Sequence, residues 1–405
     1  MTSDRPNWTG VAFGLALLIL AAYQQLKLPP GLPILLEHYD YGRTLAGGFM
    51  SIYAVCGLAL SVRLGALIQR HGAERFLQAA FGLFIAAAAV MMVWPAHGWL
   101  FLLARGAEGV AFAILAVAGP AICTVNAGPR GLSIAAAAIA TWIPLGGLLA
   151  NAVAAGGSDW FGWRILWWVG IVATVGVAVW SRRLLRQGRI RVGGGAAPPA
   201  SRDAPANGAA ARRALVLSAG LFTLWSVQML AYLTWLPDFL VEAHGFTPRD
   251  AALLYMIPVG LIAVFNLAAA PVLRAGFPVA ALLAVATGVQ AAVWLSLPFF
   301  DGPAAGVLAL GVYAIAAGVT PTCLFALPGT IFGAERAGAR SFGVLMTGRN
   351  LGVLAGPLLI GIIIERTGEW ALVPPVLGAA GVLLTIGAIV LHGRLRRLGP
   401  QGTRR

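Results

Sequence analysis

The chain has 405 residues, 59% of them hydrophobic and only 10% charged, against about 25% charged in an ordinary soluble domain. That balance excludes a water-soluble globular protein. The formal net charge of +14 does not point to nucleic acid, because the arginines cluster in short polar breaks between apolar stretches, as membrane topology dictates.

Twelve stretches reach the roughly 20 apolar residues that a helix needs to cross a bilayer. They cover 11–36, 44–68, 76–95, 98–125, 131–155, 163–181, 214–240, 250–273, 276–300, 303–333, 341–364 and 370–392. Backbone groups in lipid must satisfy one another within a segment, so these predict helices. Continuous rather than alternating hydrophobicity excludes a barrel. The first stretch is too long, and too interrupted by polar residues, for a cleaved signal peptide. With a cytoplasmic N-terminus, Arg70, Arg75, Arg130, Arg274, Arg336, Arg340 and the basic tail fall inside. Most acids, from Glu37 and Asp40 to Glu365 and Glu369, fall outside. Both termini are therefore expected on the cytoplasmic side of the inner membrane.

The first stretch carries Lys27, the one lysine of the chain. A charged amine at membrane depth costs roughly 2.5–3.5 kcal/mol or more. Two placements are open: an ammonium facing a wet pathway, or one that snorkels to the headgroups. Tyr23 and Gln24 lie four and three residues before it, so one face of this helix is polar. Pro29, Pro30 and Pro33 predict a bend toward the outer end.

Between stretches two and three the sequence reads GALIQRHGAERF. Gly65, Arg70 and Gly72 of this run resemble the loop signature of the major facilitator superfamily. Gln69 stands where the family has an aspartate of a cytoplasmic charge gate, so the resemblance implies a gate built differently here. Arg105 and Gly109 in stretch four are similar to a second pattern of the family, as are Gly162, Trp163 and Arg164 before stretch six. The GxxxGPxxxG run from Gly352 to Gly361 is similar to a fourth. The TWLPDFL run at 234–240 looks somewhat like the cyanate and nitroimidazole transporter branch.

Glu108 lies one turn beyond Arg105, close enough to pair with it. It is the natural proton-coupling candidate, unless the pair is purely structural. Pro144, Gly146 and Gly147 in stretch five would bend that helix and permit tight packing. Residues 182–213 form a linker, basic at first and then rich in Gly, Ala and Pro. It separates 1–181 from 214–405. These halves echo each other: Pro33 to Gly72 and Pro237 to Gly276 are both 39 residues, and Gln24 corresponds to Gln228. The position matching Lys27 is Ala231. Parallel six-helix halves are the facilitator architecture. In the second half Trp225, Gln228, Tyr313, Arg349 and Asn350 join the candidate substrate contacts. Aromatic and hydroxyl residues at helical spacing, Trp225, Tyr232, Tyr313, Thr320 and Thr322 among them, are more often helix–helix packing than ligand contacts.

The expected fold is thus all-α and polytopic, with twelve transmembrane helices in two six-helix bundles. If Arg105 and Glu108 cancel, Lys27 and Arg349 leave the interior positive, which favours an anion. The function read from this is secondary transport of a small organic or inorganic anion by alternating access. A broad-specificity exporter of apolar drugs and a polytopic sensor are the alternatives. No P-loop appears, and the five histidines are scattered without metal spacing. No enzyme activity, cofactor or metal is expected. The expected partners are a small-molecule substrate and membrane lipid, with no nucleic acid, and the chain is expected to act as a monomer.

Overall fold

A computed structural model describes residues 5–39, 41, 43–192, 208–245, 248–299, 303–334 and 336–398. The Gly/Ala/Pro-rich part of the linker, 193–207, and the end of the basic tail lie outside the described residues. The described residues are helical nearly throughout, in thirteen α-helices and one short 3₁₀ turn, Leu297–Phe299. Those of the first half are α1 (Trp8–Leu26), α2 (Leu28–His38), α3 (Arg43–His71), α4 (Ala73–Val93), α5 (Gly98–Ala140), α6 (Trp142–Phe161) and α7 (Arg164–Arg186). Those of the second are α8 (Gly208–His244), α9 (Pro248–Arg274), α10 (Val279–Ser296), α11 (Pro303–Phe332), α12 (Ala339–Thr367) and α13 (Val373–Leu398).

Eleven stretches of the described residues are long and apolar enough to cross a membrane. One of them, Gly98–Ser158, has 61 residues, about 90 Å as helix and too long for one crossing. It is broken at Gly128, whose φ of 61° lies in the left-handed region. Pro129 follows and disfavours helical geometry at the residue before it. Counting this stretch twice gives twelve crossings in an all-α polytopic membrane protein. Arg130, expected in a loop, is instead helical.

Packing separates two compact units. The described residues within 1–135, 141–204 and 334–347 form the first, and those within 136–140, 205–333 and 348–405 the second. The basic residues Arg182, Arg183 and Arg186, placed in the linker by sequence, end α7. The chain beyond them is tied back to the first unit by Asn126, which donates to Arg191 O at 2.8 Å and accepts from Arg191 N at 3.1 Å.

In the first unit α1 is central, and small residues let its neighbours approach. A Cβ on Gly14 would lie 2.9 Å from the Gly119 carbonyl of α5, and one on Gly146 of α6 2.7 Å from the backbone of Ala22. Near the α2–α3 connection, Tyr41 packs on Phe49 and Phe101 and donates to the Pro95 carbonyl. Burial pushes this phenol up to about 12, so it stays a donor at physiological pH.

In the second unit Gly348, Gly352 and Gly356 of α12 lie against Ala219, Thr223 and Val227 of α8, one turn apart on each helix. The four-residue period of small residues is what lets two helices touch backbone to backbone. Thr322 donates to the Asn266 carbonyl at 2.7 Å, and Gln290 to Thr320 at 2.7 Å, so these polar residues fasten helices.

Candidate functional site

The first unit encloses a polar centre around Lys27. Its cause is local. Pro29 has no N–H and Pro30 has none, so the carbonyls of Gln25 and Leu26 lose their helical donors. The helix breaks at Lys27, which separates α1 from α2. Arg105 of α5 reaches this break. Its Nη2 donates to Gln25 O at 3.2 Å and its Nη1 to Gln24 O at 3.1 Å, while Nε donates to Phe49 O at 3.2 Å.

Glu108 joins the two cations. Lys27 Nζ lies 2.7 Å from Glu108 Oε1, and Arg105 Nη1 lies 2.6 Å from Glu108 Oε2; all three side chains are 0% exposed. Tyr53 of α3 donates to Glu108 Oε2 at 2.9 Å, and its ring lies 4.4 Å from the Arg105 guanidinium carbon. Gly109 makes this possible, since a Cβ there would sit 3.3 Å from Tyr53 Cα. Lys27 Nζ also donates to Gln24 Oε1 at 2.5 Å and stands 4.9 Å from the centre of the Trp167 ring on α7.

Lys27 therefore neither extends to the membrane surface nor opens on solvent. The expected pairing is corrected, while the net charge of the three groups is as expected. Arg105 and Glu108 do not cancel apart from Lys27; one carboxylate serves two cations, and the triad as a whole carries one surplus positive charge. Glu108 accepts both because its two oxygens face opposite partners, and the low-dielectric interior makes either pairing strong.

Gln24 and Tyr23 act mainly as fasteners. Gln24 Nε2 donates to Gly170 O at 3.0 Å and Thr174 Oγ1 at 2.9 Å, and Tyr23 donates to Leu166 O at 2.9 Å, all on α7. The corresponding glutamine of the second unit does the same: Gln228 Nε2 donates to Leu377 O of α13 at 2.8 Å. Opposite each amide stands a glycine whose Cβ would crowd it, Gly170 for Gln24 and Gly381 for Gln228. Gly146 against the Ala22–Tyr23 peptide is matched in the same way by Gly352 against Ser226 and Val227. The internal repeat thus extends from sequence spacing to hydrogen bonding.

The other second-unit candidates are buried. Trp225 packs on Phe222, and Tyr313 joins Tyr232 and Trp294 in an aromatic cluster. Arg349, 8% exposed, donates to Asn350 Oδ1 at 3.2 Å. The Nδ2 of Asn350 is buried without a hydrogen-bond partner. A separate, partly open apolar pocket is lined by Tyr232, Trp235, Phe239, Trp294 and Trp370.

In the loop between α3 and α4, Gly72 has a φ of 85° that turns the chain, and Arg70 is exposed. Gln69 Oε1 accepts from Arg340 N at 3.2 Å, in the first turn of α12. A Cβ on Gly65 would lie 3.2 Å from Arg340 Cα. Gln69 therefore caps a helix N-terminus with a neutral amide where a carboxylate would also engage the dipole.

Tyr53 and Trp167 escaped the sequence reading. A hydroxyl within an apolar stretch was the available signal for Tyr53, and spacing of four from Trp163 for Trp167. Neither indicates which buried charge it meets.

A family model described as Major Facilitator Superfamily matches residues 11–341. A probable sulfoacetate transporter, SauU, from Cupriavidus necator is 31% identical over 188 residues, covering 41% of this chain and 39% of that protein. The chain thus matches about two fifths of the length of this curated relative. Among solved structures, FucP in its outward conformation aligns with a TM-score of 0.70 at 16% identity, over 97% of this chain and 99% of that one. A single-residue variant of the E. coli fucose:proton symporter FucP aligns with a TM-score of 0.70 at 16% identity, over 98% and 100%. The proton:xylose symporter XylE aligns with a TM-score of 0.72 at 14% identity, over 97% and 96%. At such identity these structures speak for the fold alone. The family model spans most of the chain, and the chain belongs to the Major Facilitator Superfamily.

Proposed function

We propose that this chain is a secondary transporter whose cargo is a small organic or inorganic anion. As a member of its superfamily it moves a small solute by alternating access, as a transporter and not an enzyme. The observation that carries the anion assignment is the buried triad, in which Lys27 and Arg105 share the single carboxylate of Glu108. A surplus positive charge in a low-dielectric interior is unfavourable alone and favours an arriving anion. An anion that enters takes the place of Glu108 on Lys27, while Arg105 and Tyr53 keep the carboxylate. In the other unit, Arg349 and the adjacent Asn350, whose Nδ2 lacks a partner, offer a separate set of donors.

The sulfoacetate named for the relative carries a carboxylate and a sulfonate, which agrees with this class. The likeness to cyanate and nitroimidazole carriers gains no support from the matches. The arginine distribution supports a cytoplasmic-membrane location with both termini inside. The domain division at the 182–213 linker remains part of the same proposal.

A second reading, export of apolar compounds, draws on the aromatic pocket of the second unit. Uptake into proteoliposomes of sulfoacetate, methanesulfonate, sulfate, fucose and an apolar cation separates the two. Anion uptake that falls at least tenfold in Lys27→Ala supports the proposal. Movement of fucose or the apolar cation alone overturns it.

A further inference from the structure

Charge bookkeeping at the triad singles out one of its members. With all groups ionised, Lys27, Arg105 and Glu108 sum to one positive charge, and all are fully enclosed. A substrate anion balances that charge while it is bound. When it leaves, the site must either hold a bare surplus charge in a dry interior or lose a proton.

The three groups differ in their ability to do so. A guanidinium keeps its proton at any accessible pH. Glu108 accepts from both cations and from the Tyr53 hydroxyl, and adding a proton to it would raise the surplus rather than remove it. An ammonium can release its proton to water. Loss of that proton leaves a neutral amine beside a matched Arg105–Glu108 pair, and every remaining charge has a partner.

We propose, building on the anion-transport reading, that Lys27 rather than Glu108 carries the coupled proton. On loading, water gives a proton to the Lys27 amine as the anion binds. On release, an N–H bond of the ammonium breaks and the proton returns to water on the side to which the site has opened. One proton accompanies each substrate charge neutralised at the triad, with no net charge left behind in either state.

The surroundings suit this role. From α5 come Glu108 and Arg105, and from α3 Tyr53, with Cys56 bonded to the Gly106 carbonyl. From α1 come Gln24 and Tyr23, the latter committed to Leu166 O. From α7 comes the uncharged Trp167 ring. The α6 helix meets α1 here through Gly146 and Gly147. Gln24 Oε1 receives a hydrogen bond from the nitrogen in either protonation state, so the side chain keeps its position when the charge is gone.

The test uses the full chain in proteoliposomes with methanesulfonate, which bears one charge, and sulfoacetate. Wild type is expected to accumulate methanesulfonate about tenfold for each unit of inward proton gradient, with proton entry matching anion entry. Lys27→Arg keeps the charge but cannot release it. Gradient-driven accumulation is expected to disappear in it, and any anion exchange that remains is expected not to respond to the proton gradient. Gradient-driven accumulation surviving in Lys27→Arg, or wild-type uptake without proton entry, overturns the proposal and leaves anion transport standing. Wild type moving neither anion overturns the anion-transport reading itself.

A second measurement does not depend on the variant folding. Lys27 is the one lysine, so side-chain ¹⁵N-lysine labelling gives one assignable NMR signal. Methanesulfonate is expected to move its charged-to-neutral transition to higher pH by about one unit or more, because affinity and protonation are linked reciprocally. A transition unmoved by saturating methanesulfonate overturns the proposal.

Discussion

Arg105 replaces the helical donor that Pro29 withholds from Gln25. Its Nη2 reaches the Gln25 carbonyl at 3.2 Å, across 80 residues of sequence, while its Nη1 holds Glu108. A break in the first helix and a buried ion cluster are therefore one structure. The proline creates the acceptor, and the arginine that fills it brings the carboxylate that receives Lys27.

This geometry predicts that Arg105→Lys is not conservative. A lysine keeps the charge but cannot bridge three carbonyls and a carboxylate with one ammonium. The expected loss is about 3 kcal/mol, read as a lower melting temperature of the detergent-solubilised protein. A melting temperature equal to wild type would show that the carbonyl contacts contribute nothing.

Removing the two partners of the Lys27–Glu108 pair should have opposite consequences. Glu108→Gln leaves Arg105 without its counter-ion and Lys27 without its carboxylate acceptor, and should cost about 3–5 kcal/mol. Lys27→Met removes the surplus charge and leaves Arg105 with Glu108, so stability should stay within about 1 kcal/mol of wild type or rise. Thermal unfolding of both variants checks the order, and the reverse order would refute the charge count.

Tyr53→Phe removes a hydroxyl that donates to Glu108 and keeps the ring over Arg105. The expected cost is about 1–2 kcal/mol. Combined with Glu108→Gln it should add little further, because the two share an interaction. A double-mutant cycle in thermal unfolding measures this, and full additivity would speak against their coupling.

Glycines at the helix seams should separate into two classes. Gly146→Val and Gly352→Val drive a side chain into the backbone of α1 or α8 and should abolish folded protein in the membrane fraction. Gly176→Ala on α7 meets open space and should be neutral or stabilising by about 0.5–1 kcal/mol. Equal yields for all three variants would remove close packing as the reason for these glycines.

Gln69→Asp puts a carboxylate at the N-terminus of α12, where it meets the Arg340 amide. The expected gain is about 0.3–1 kcal/mol at low ionic strength, falling with added salt. A melting temperature that is indifferent to salt in both proteins would count against the dipole contribution.

Much of this molecule was legible from composition and period. Apolar runs of bilayer length in a chain this poor in charge admit only helices, because lipid offers the backbone no other partner. Pro29 and Pro30 marked the bend, and Gly352 to Gly361 marked a tight seam. The matched spacing of Gln24 and Gln228 marked a repeat that recurs in their hydrogen bonds. Even the unusual residue, a lone lysine in the first crossing, was visible at once. What the tertiary structure decided was the company it keeps. Helical period assigns a residue to a face, but not that face to a neighbour. Only packing shows that Glu108 turns one oxygen to Arg105, a turn away on its own helix, and the other to Lys27, 81 residues distant. The charge left over at that meeting depends on three helices arriving together, and no single stretch of sequence contains it.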